Sequence, residues 1–210
     1  MRFAKLDHLR NSESLLHFTG LTPETIIRAI NDCYRTLDNI DHQMMAQGIP
    51  RIARLVELAN LSSMVGNILG AGIAANSNGQ YIRNRPHAYP DLIPTNGQGR
   101  ELELKMALET NRPKGHLPKA GNYITIRYVL GEASGEFQKG KDSRGDTVWI
   151  WEIKVGYLNE SDFSCSNTAG DSGKTAVIKS SAHNNMALVY FAPEFSPYSN
   201  KPNTQYCGYN

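Results

Sequence analysis

The sequence YPDLIPTNGQGRELELKMALE, residues 89–109, joins a Pro-Asp pair to a strand in which polar and apolar side chains alternate strictly. The polar positions of that strand are Glu101, Glu103 and Lys105. Because strand side chains point alternately to the two faces of a sheet, Glu103 and Lys105 share a face, roughly 7 Å apart. Asp91 precedes Glu103 with eleven residues between them, and we expect it beside the segment that pairs with this strand. The stretch therefore predicts two carboxylates and an ammonium at one point of a sheet.

The composition is that of an ordinary globular chain. Its 210 residues are 40% hydrophobic and 20% charged, enough to bury one core. The formal net charge of +2 makes the chain only mildly basic. This balance neither supports nor excludes DNA as a partner, because a protein that reads a defined site can concentrate its Lys and Arg on one surface. We expect a single domain over residues 1–210.

The cysteines and the N-terminus predict a cytoplasmic protein. Cys33, Cys165 and Cys207 are odd in number, widely spaced and outside any CxxC or Cys/His pattern, which favours free thiols in a reducing compartment. The first residues carry scattered charges and do not resemble a signal peptide. No apolar run approaches the ~20 residues of a membrane span, so we expect no membrane partner.

Residues 1–75 are predicted to be mainly helical. Thr22 suits an N-cap and Pro23 the first helical position, so a helix of about 22 residues should run from there towards Gly48. A second helix is expected from about Arg51 to Gly72. Small residues along it would allow a helix, a sheet or a second copy to approach closely, and these are Ala59, Ser63, Gly66 and Gly70.

Residues 80–195 are predicted to hold the catalytic sheet and the loops around it. Besides the strand described above, runs of β-branched, aromatic or continuous apolar residues predict strands at 122–131, 147–158, 175–179 and 186–192. Residues 131–146 should form a long hairpin loop. Two other connections are polar, the basic loop 109–121 and the stretch 159–185, which is long for a compact domain unless it binds something.

The carboxylates and the lysine suit a hard cation. Mg²⁺ prefers oxygen ligands and keeps several waters, so Asp91, Glu103 and the backbone carbonyl of Leu104 are candidate ligands. Lys105 would orient or help deprotonate a water, or stabilise charge on a phosphate oxygen. In-line hydrolysis of a phosphodiester fits this set. The alternatives are an exposed strand face on which Glu103 and Lys105 form a surface ion pair, and an Asp91 that serves only as a turn or cap residue.

Pro90-Asp91, eleven further residues and then Glu103-Leu104-Lys105 resemble the PD-(D/E)xK nuclease motif. The order of elements over roughly residues 50–195 is similar to that of type II restriction endonucleases. The resemblance implies an α/β, restriction-endonuclease-like core: a mixed five-stranded sheet flanked by helices, often dimeric around a DNA duplex. It also implies that Asp91 and Glu103 bind metal and that Lys105 is catalytic. Glu57 would match a helix glutamate near the metals, or it is a solvated residue.

The loops around this strand are the candidate DNA contacts. Four residues of the basic loop follow the catalytic strand directly, and they either bind DNA or form a solvated loop: Arg112, Lys114, His116 and Lys119. The polar stretch 159–185 adds donors and acceptors of the kinds that read base edges: Ser166, Asn167, Asp171, Lys174, Asn184 and Asn185.

These observations predict a Mg²⁺-dependent, sequence-specific endonuclease that cuts double-stranded DNA at a short site, as a type II restriction enzyme does. A homodimer is expected because palindromic sites favour two-fold symmetry. A cognate DNA methyltransferase is expected as a genetic rather than a physical partner. Two alternatives stay open: a DNA repair or junction-resolving nuclease with the same core, and an inactive DNA-binding module.

Overall fold

The computed structural model describes residues 2–86, 88–97, 99–166, 175–198, 205–206 and 208. The helices within these ranges are α1 (Ser12–Thr19), α2 (Pro23–Met45), α3 (Ile52–Leu55), α4 (Leu58–Asn76) and α5 (Ser180–Asn185). The strands are β1 (Tyr81–Arg83), β2 (Leu92–Pro94), β3 (Leu102–Leu108), β4 (Lys114–Gly115), β5 (Gly121–Gly131), β6 (Thr147–Leu158), β7 (Phe163–Ser166), β8 (Thr175–Ile178) and β9 (Ala187–Phe191).

The fold is α/β, with a mixed six-stranded sheet in the order β1-β2-β3-β5-β6-β9. Strands β3 and β5 are parallel and all other neighbours are antiparallel. Five of these strands correspond to the strands expected in the sheet. The sixth, β1, lies in a segment that the sequence indicates only as a polar linker. It has three residues, so its conformation comes from pairing with β2 and not from a pattern of its own.

A second sheet of three strands, β4-β8-β7, was not predicted as such. Only β8 has a recognisable strand sequence, because β4 has two residues and β7 lies in a polar segment. Apolar side chains of this sheet, Phe163, Ala176 and Ile178, form a small core with Tyr123 of the main sheet. The small sheet thereby covers one end of the face to which Tyr123 points.

The helices form largely where the sequence places them. Thr22 caps α2, its hydroxyl accepting from the Thr25 N–H at 3.4 Å, and the helix runs for 23 residues. The second predicted helix is divided: α3 ends at Leu55, and Glu57 adopts an extended conformation as the N-cap of α4. We find no local sequence signal for this break. Helix α4 also continues past the predicted end at Gly72, to Asn76.

Helix α4 packs closely because two of its glycines face β3 and one faces α2. A Cβ added at Gly66 would lie 2.9 Å from Met106 Cγ, and one at Gly70 would lie 3.4 Å from Leu104 Cδ2. Gly66 and Gly70 therefore serve contact with the sheet, whereas the other two small residues, Ala59 and Ser63, are exposed. By length and composition α4 is apolar enough to cross a membrane, contrary to the expectation that no apolar run approaches the ~20 residues of a span. In this fold its three glycines pack against β3 and α2.

Strand β9 forms one end of the sheet, although its continuous apolar sequence suggested an interior strand. Its outer edge is covered by the N-terminal segment: the Arg10 N–H donates to the Val189 carbonyl at 2.9 Å, and the Asn11 side chain donates to the Leu188 carbonyl at 2.9 Å. Because the N-terminal segment shields this edge of β9 from water, the strand is buried much as a central strand is, which explains its uniformly apolar residues.

Candidate active site

Asp91 immediately precedes β2, and β2 pairs with β3 in an antiparallel register that sets Leu92 opposite Leu102. One carboxylate oxygen of Asp91, Oδ2, accepts a hydrogen bond from the Leu104 N–H at 2.8 Å. The predicted pairing of the two segments is thus confirmed. The Asp91 backbone carbonyl accepts from the Asn84 N–H at 2.9 Å, whereas its carboxylate is held against β3, beside Glu103.

Glu103 and Lys105 lie on the same face of β3, and the Lys105 ammonium donates to Glu103 Oε1. The side chains of Glu103 and Lys105 are only 10% and 17% exposed, so this is not a surface ion pair. Glu103 Oε2 is buried and has no hydrogen-bond partner. Within the part of the chain that the structure describes, it is the only buried side-chain acceptor in this condition. Buried polar atoms of this kind call for a ligand or a functional reason.

The surroundings of Glu103 favour a cation. Burial and the negative charge of Asp91 raise the pKa of Glu103, while the ion pair with Lys105 acts in the opposite direction. The burial effect is the largest of these. A raised pKa means that the ionised carboxylate is held in an unfavourable place, and a bound divalent cation would remove that penalty.

The donor set fits Mg²⁺. In an extended strand the N–H and C=O of one residue point to the same side of the strand. Because the Leu104 N–H donates to Asp91, the Leu104 carbonyl also lies on the side of β3 that faces Asp91. Asp91, Glu103 and this carbonyl are hard oxygen donors. No group of three or more His, Cys, Asp or Glu side chains that could hold a metal ion occurs in the described residues, so the candidate ligands here are two carboxylates and this carbonyl. Mg²⁺ is commonly held by one or two carboxylates and completes its shell with water and phosphate.

The structure does not bring Glu57 to this site. Glu57 is exposed at the N-terminus of α4, and α4 packs on the face of β3 opposite to Glu103. The start of α4 lies at the far end of the strand, where Ser62 hydrogen-bonds to Tyr128, the register partner of Leu108. This position gives no support to a metal-site role for Glu57, which stays only a prediction, and the exposure of Glu57 agrees with its interpretation as a solvated residue.

The basic loop borders the site, but its residues differ in position. Arg112, Lys114 and His116 are exposed. Lys119 is half-buried, and its ammonium lies 4.0 Å from the ring centroid of Tyr89, two residues before Asp91. This cation–π contact holds the Lys119 side chain against Tyr89. A role in DNA binding stays a prediction for all four.

The candidates in the polar stretch 159–185 are only partly described. Asn167, Asp171 and Lys174 lie outside the described residues, and Ser166 ends β7. Asn184 and Asn185 end α5; Asn185 is exposed, and the Asn184 carbonyl accepts from the Lys154 ammonium at 3.2 Å. The Asn184 backbone thus has a structural role, and its role in DNA binding stays a prediction.

A buried charged network shares the sheet face of Glu103 and Lys105 and was missed by sequence reasoning. Arg127 of β5 and Glu152 of β6 are register partners and form a bidentate ion pair, with Arg127 Nε 2.6 Å from Glu152 Oε1. Tyr206 also donates to Glu152, and the His183 ring lies 3.6 Å from it. Burial alone would raise the pKa of Glu152, but the hydrogen bonds and charge of Arg127 hold it below its usual value. The sequence signal for this network was the presence of a charged residue within each of two apolar strands, β5 and β6. That Arg127 and Glu152 pair with each other became visible only from the register of the two strands.

His183 makes the stability of the fold dependent on pH. Its side chain is buried, its Nε2 lies 3.3 Å from Thr125 Oγ1, and burial lowers its pKa to about 4, against the attraction of Glu152. Between that value and the ordinary 6.5 the unfolded chain binds a proton that the folded protein does not. The contribution of neutral His183 to the free energy of unfolding should therefore be complete above pH 6.5. As the pH drops towards 4, the free energy of unfolding should fall by about 3 kcal/mol.

Urea unfolding across this pH range measures the effect, with His183→Gln as the matched variant. Gln keeps a hydrogen-bonding side chain for Thr125 but does not titrate, so the variant should lose less stability on acidification than the wild type. Equal acid losses in the two proteins would contradict the assignment to His183.

The geometry thus places two carboxylates, a backbone carbonyl and an ammonium together at β3, beside the start of β2 and next to a basic loop. Such a group can hold a divalent cation and present a proton donor or positive charge to a bound phosphate. No protein-family model matches the chain, and no curated protein sequence is significantly similar to it.

Proposed function

We propose that this protein is a Mg²⁺-dependent endonuclease that hydrolyses phosphodiester bonds of double-stranded DNA at a short defined site, as type II restriction enzymes do. The observation that carries the proposal is the group of half-buried Asp91 and Lys105 around the buried Glu103, whose Oε2 lacks a hydrogen-bond partner. Buried side-chain oxygens without a hydrogen-bond partner are few in native proteins, so this one supports a bound ligand. The PD-(D/E)xK pattern of these residues and the mixed sheet flanked by helices agree with the restriction-endonuclease-like fold, with one strand more than five.

Each residue of the site has a chemical task in this proposal. Asp91 and Glu103, with the Leu104 carbonyl, would hold Mg²⁺ and thereby fix where the scissile phosphate sits. When bound, the cation stabilises negative charge on the phosphate and lowers the pKa of water. Lys105, held by Glu103 at the same point, orients the attacking water or offsets the charge that develops on the phosphate in the transition state.

The partner proposed is a DNA duplex that passes the basic loop. The exposed Arg112, Lys114 and His116 would contact phosphates or guanine edges, and Lys119 would neutralise a phosphate close to the metal. The proposal also includes a homodimer, because the short palindromic sites that such enzymes cut have two-fold symmetry. The protein would act in the cytoplasm and be encoded with a cognate DNA methyltransferase.

Incubation of the purified protein with plasmid and phage DNA, with Mg²⁺ or with EDTA, tests the function. We expect discrete fragments with Mg²⁺ and intact DNA with EDTA. A four-way junction and a matched linear duplex serve as parallel substrates. Cutting confined to the junction, or a smear without defined ends, would support a repair or junction-resolving nuclease. DNA binding without any cutting would support an inactive binding module.

A further inference from the structure

Gly115 of β4 lies directly against the side chain of Lys105. A Cβ added at Gly115 would be 2.8 Å from Lys105 Cε and 3.1 Å from its Nζ. Cβ atoms do not approach other heavy atoms closer than 3.0 Å, so something must move if Gly115 gains a side chain. The backbone at Gly115 is outside the left-handed region, so the effect of a substitution comes from this contact and not from backbone strain.

The backbone of β4 is held in place from one side by the small sheet. Lys114 and Gly115 pair with β8, and the Ile178 N–H donates to the Pro113 carbonyl at 3.0 Å. Because β8 also pairs with β7, a displacement of β4 would have to disturb the whole three-stranded sheet.

The chain after β4 is held from the other side of the site. The Tyr123 hydroxyl donates to the Lys119 carbonyl at 2.8 Å, and the Tyr89 hydroxyl donates to the Ala120 carbonyl at 3.1 Å. The segment around Gly115 is therefore anchored at both ends. The Lys105 side chain is the flexible partner of the contact, and it would give way first.

We propose that Gly115 is a positioning residue for Lys105: its missing side chain leaves the space that lets the lysine reach Glu103. The proposal rests on the proposed nuclease function for its catalytic meaning, but the contact itself does not depend on that function. A methyl group at Gly115 would push Cε and Nζ away from Glu103 Oε1 and from the place where the phosphate would bind.

Gly115→Ala tests this in the full-length protein labelled with ε-¹³C lysine. The Lys105 signal, assigned with Lys105→Arg, should shift in the metal-free variant. The kcat for DNA cleavage should fall about tenfold to a hundredfold with KM unchanged, because a misplacement of about 1 Å has an effect of this size.

Gly66→Ala is the matched control. Its new methyl would lie 2.9 Å from Met106 Cγ, also a flexible side chain of β3 but on the opposite face. This variant should leave both the Lys105 signal and kcat unchanged. A shift in Gly66→Ala equal to that in Gly115→Ala would overturn the proposal, since the effect would then be a general disturbance of β3.

An unshifted Lys105 signal in Gly115→Ala would also overturn the positioning role, whatever the activity. If the Lys105 signal shifts in Gly115→Ala but neither this variant nor the wild type cuts DNA, the result supports the contact and rejects the nuclease function. If Gly115→Ala does not fold, the double variant Gly115→Ala/Lys105→Ala decides. It lacks the atoms that clash, so its folding supports the proposal and its failure to fold overturns it.

Discussion

Replacing Glu103 with Gln should abolish Mg²⁺-dependent DNA cleavage and at the same time make the metal-free protein more stable. Cleavage should fall by about a thousandfold or more, because the loss of a metal ligand removes several kcal/mol of transition-state stabilisation. The stability gain has a separate cause. Glu103 Oε2 is buried without a partner, and the neutral amide of Gln has an NH2 group that can donate to Asp91. Its oxygen can still accept from Lys105, whose side chain is partly exposed, so the loss of that ion pair costs less than the loss of a fully buried one. We expect a gain of about 1–3 kcal/mol in the free energy of unfolding near neutral pH.

The pH dependence of this gain follows from the direction of the pKa shift. Because the pKa of Glu103 is raised in the folded state, the folded protein keeps a proton that the unfolded chain has lost. Stability therefore falls as the pH rises above the ordinary value for Glu, and this loss is absent in Glu103→Gln. Urea unfolding at acidic and at slightly alkaline pH should show a difference between the two proteins that grows with pH.

Glu101→Gln is the control for Glu103→Gln. Glu101 is exposed and stands one residue before β3, so its substitution should change neither cleavage nor stability noticeably. Saturating Mg²⁺ should raise the melting temperature of the wild type and of Glu101→Gln but not of Glu103→Gln. Wild-type cleavage by Glu103→Gln, or equal stabilisation of all three proteins by Mg²⁺, would refute the site assignment.

Replacing Glu152 with Gln should destabilise the fold by about 3–5 kcal/mol. Arg127 and Glu152 are 4% and 0% exposed, and the change leaves the guanidinium charge buried without its carboxylate. The near-identical shape of Gln excludes a cavity as the cause. Chemical denaturation measures the effect, together with near-UV circular dichroism, since Arg127 lies 4.4 Å from the ring centroid of Trp151.

Two comparisons test whether the buried charge is responsible for that loss. Glu109→Gln breaks a partly exposed pair with Arg144 and should lose about 1 kcal/mol or less. In Arg127→Met/Glu152→Leu both charges are gone, and the double variant should be more stable than Glu152→Gln alone. A double variant less stable than the single one would show that the network acts through its hydrogen bonds and not through the unpaired charge.

The local elements could be predicted from sequence because each has a physical signal within a few residues. Thr22 and Pro23 mark the start of α2, and strict alternation marks β3. The same alternation put Glu103 and Lys105 on one face. The strand pairing next to Asp91 followed from the short distance along the chain between the two segments.

Other features had no local signal. Strand β1 and the sheet formed by β4, β7 and β8 consist of short or polar segments that are extended only because a partner strand holds them. The distance of Glu57 from the site depends on which face of the sheet α4 covers, and periodicity cannot show that. The contact between Gly115 and Lys105 joins two strands of different sheets.

The sequence alone therefore determined which residues carry the candidate chemistry and on which strand they lie. It could do so because the period of two in a strand and the spacing of Asp91, Glu103 and Lys105 are properties of the chain itself. Only the tertiary structure decided that Glu103 is buried with an oxygen that has no hydrogen-bond partner. It also decided that Gly115 contacts Lys105, on the face of the main sheet where Arg127 and Glu152 form their ion pair. Burial and pairing between distant segments depend on how the sheets and helices pack, and no stretch of sequence contains that packing by itself.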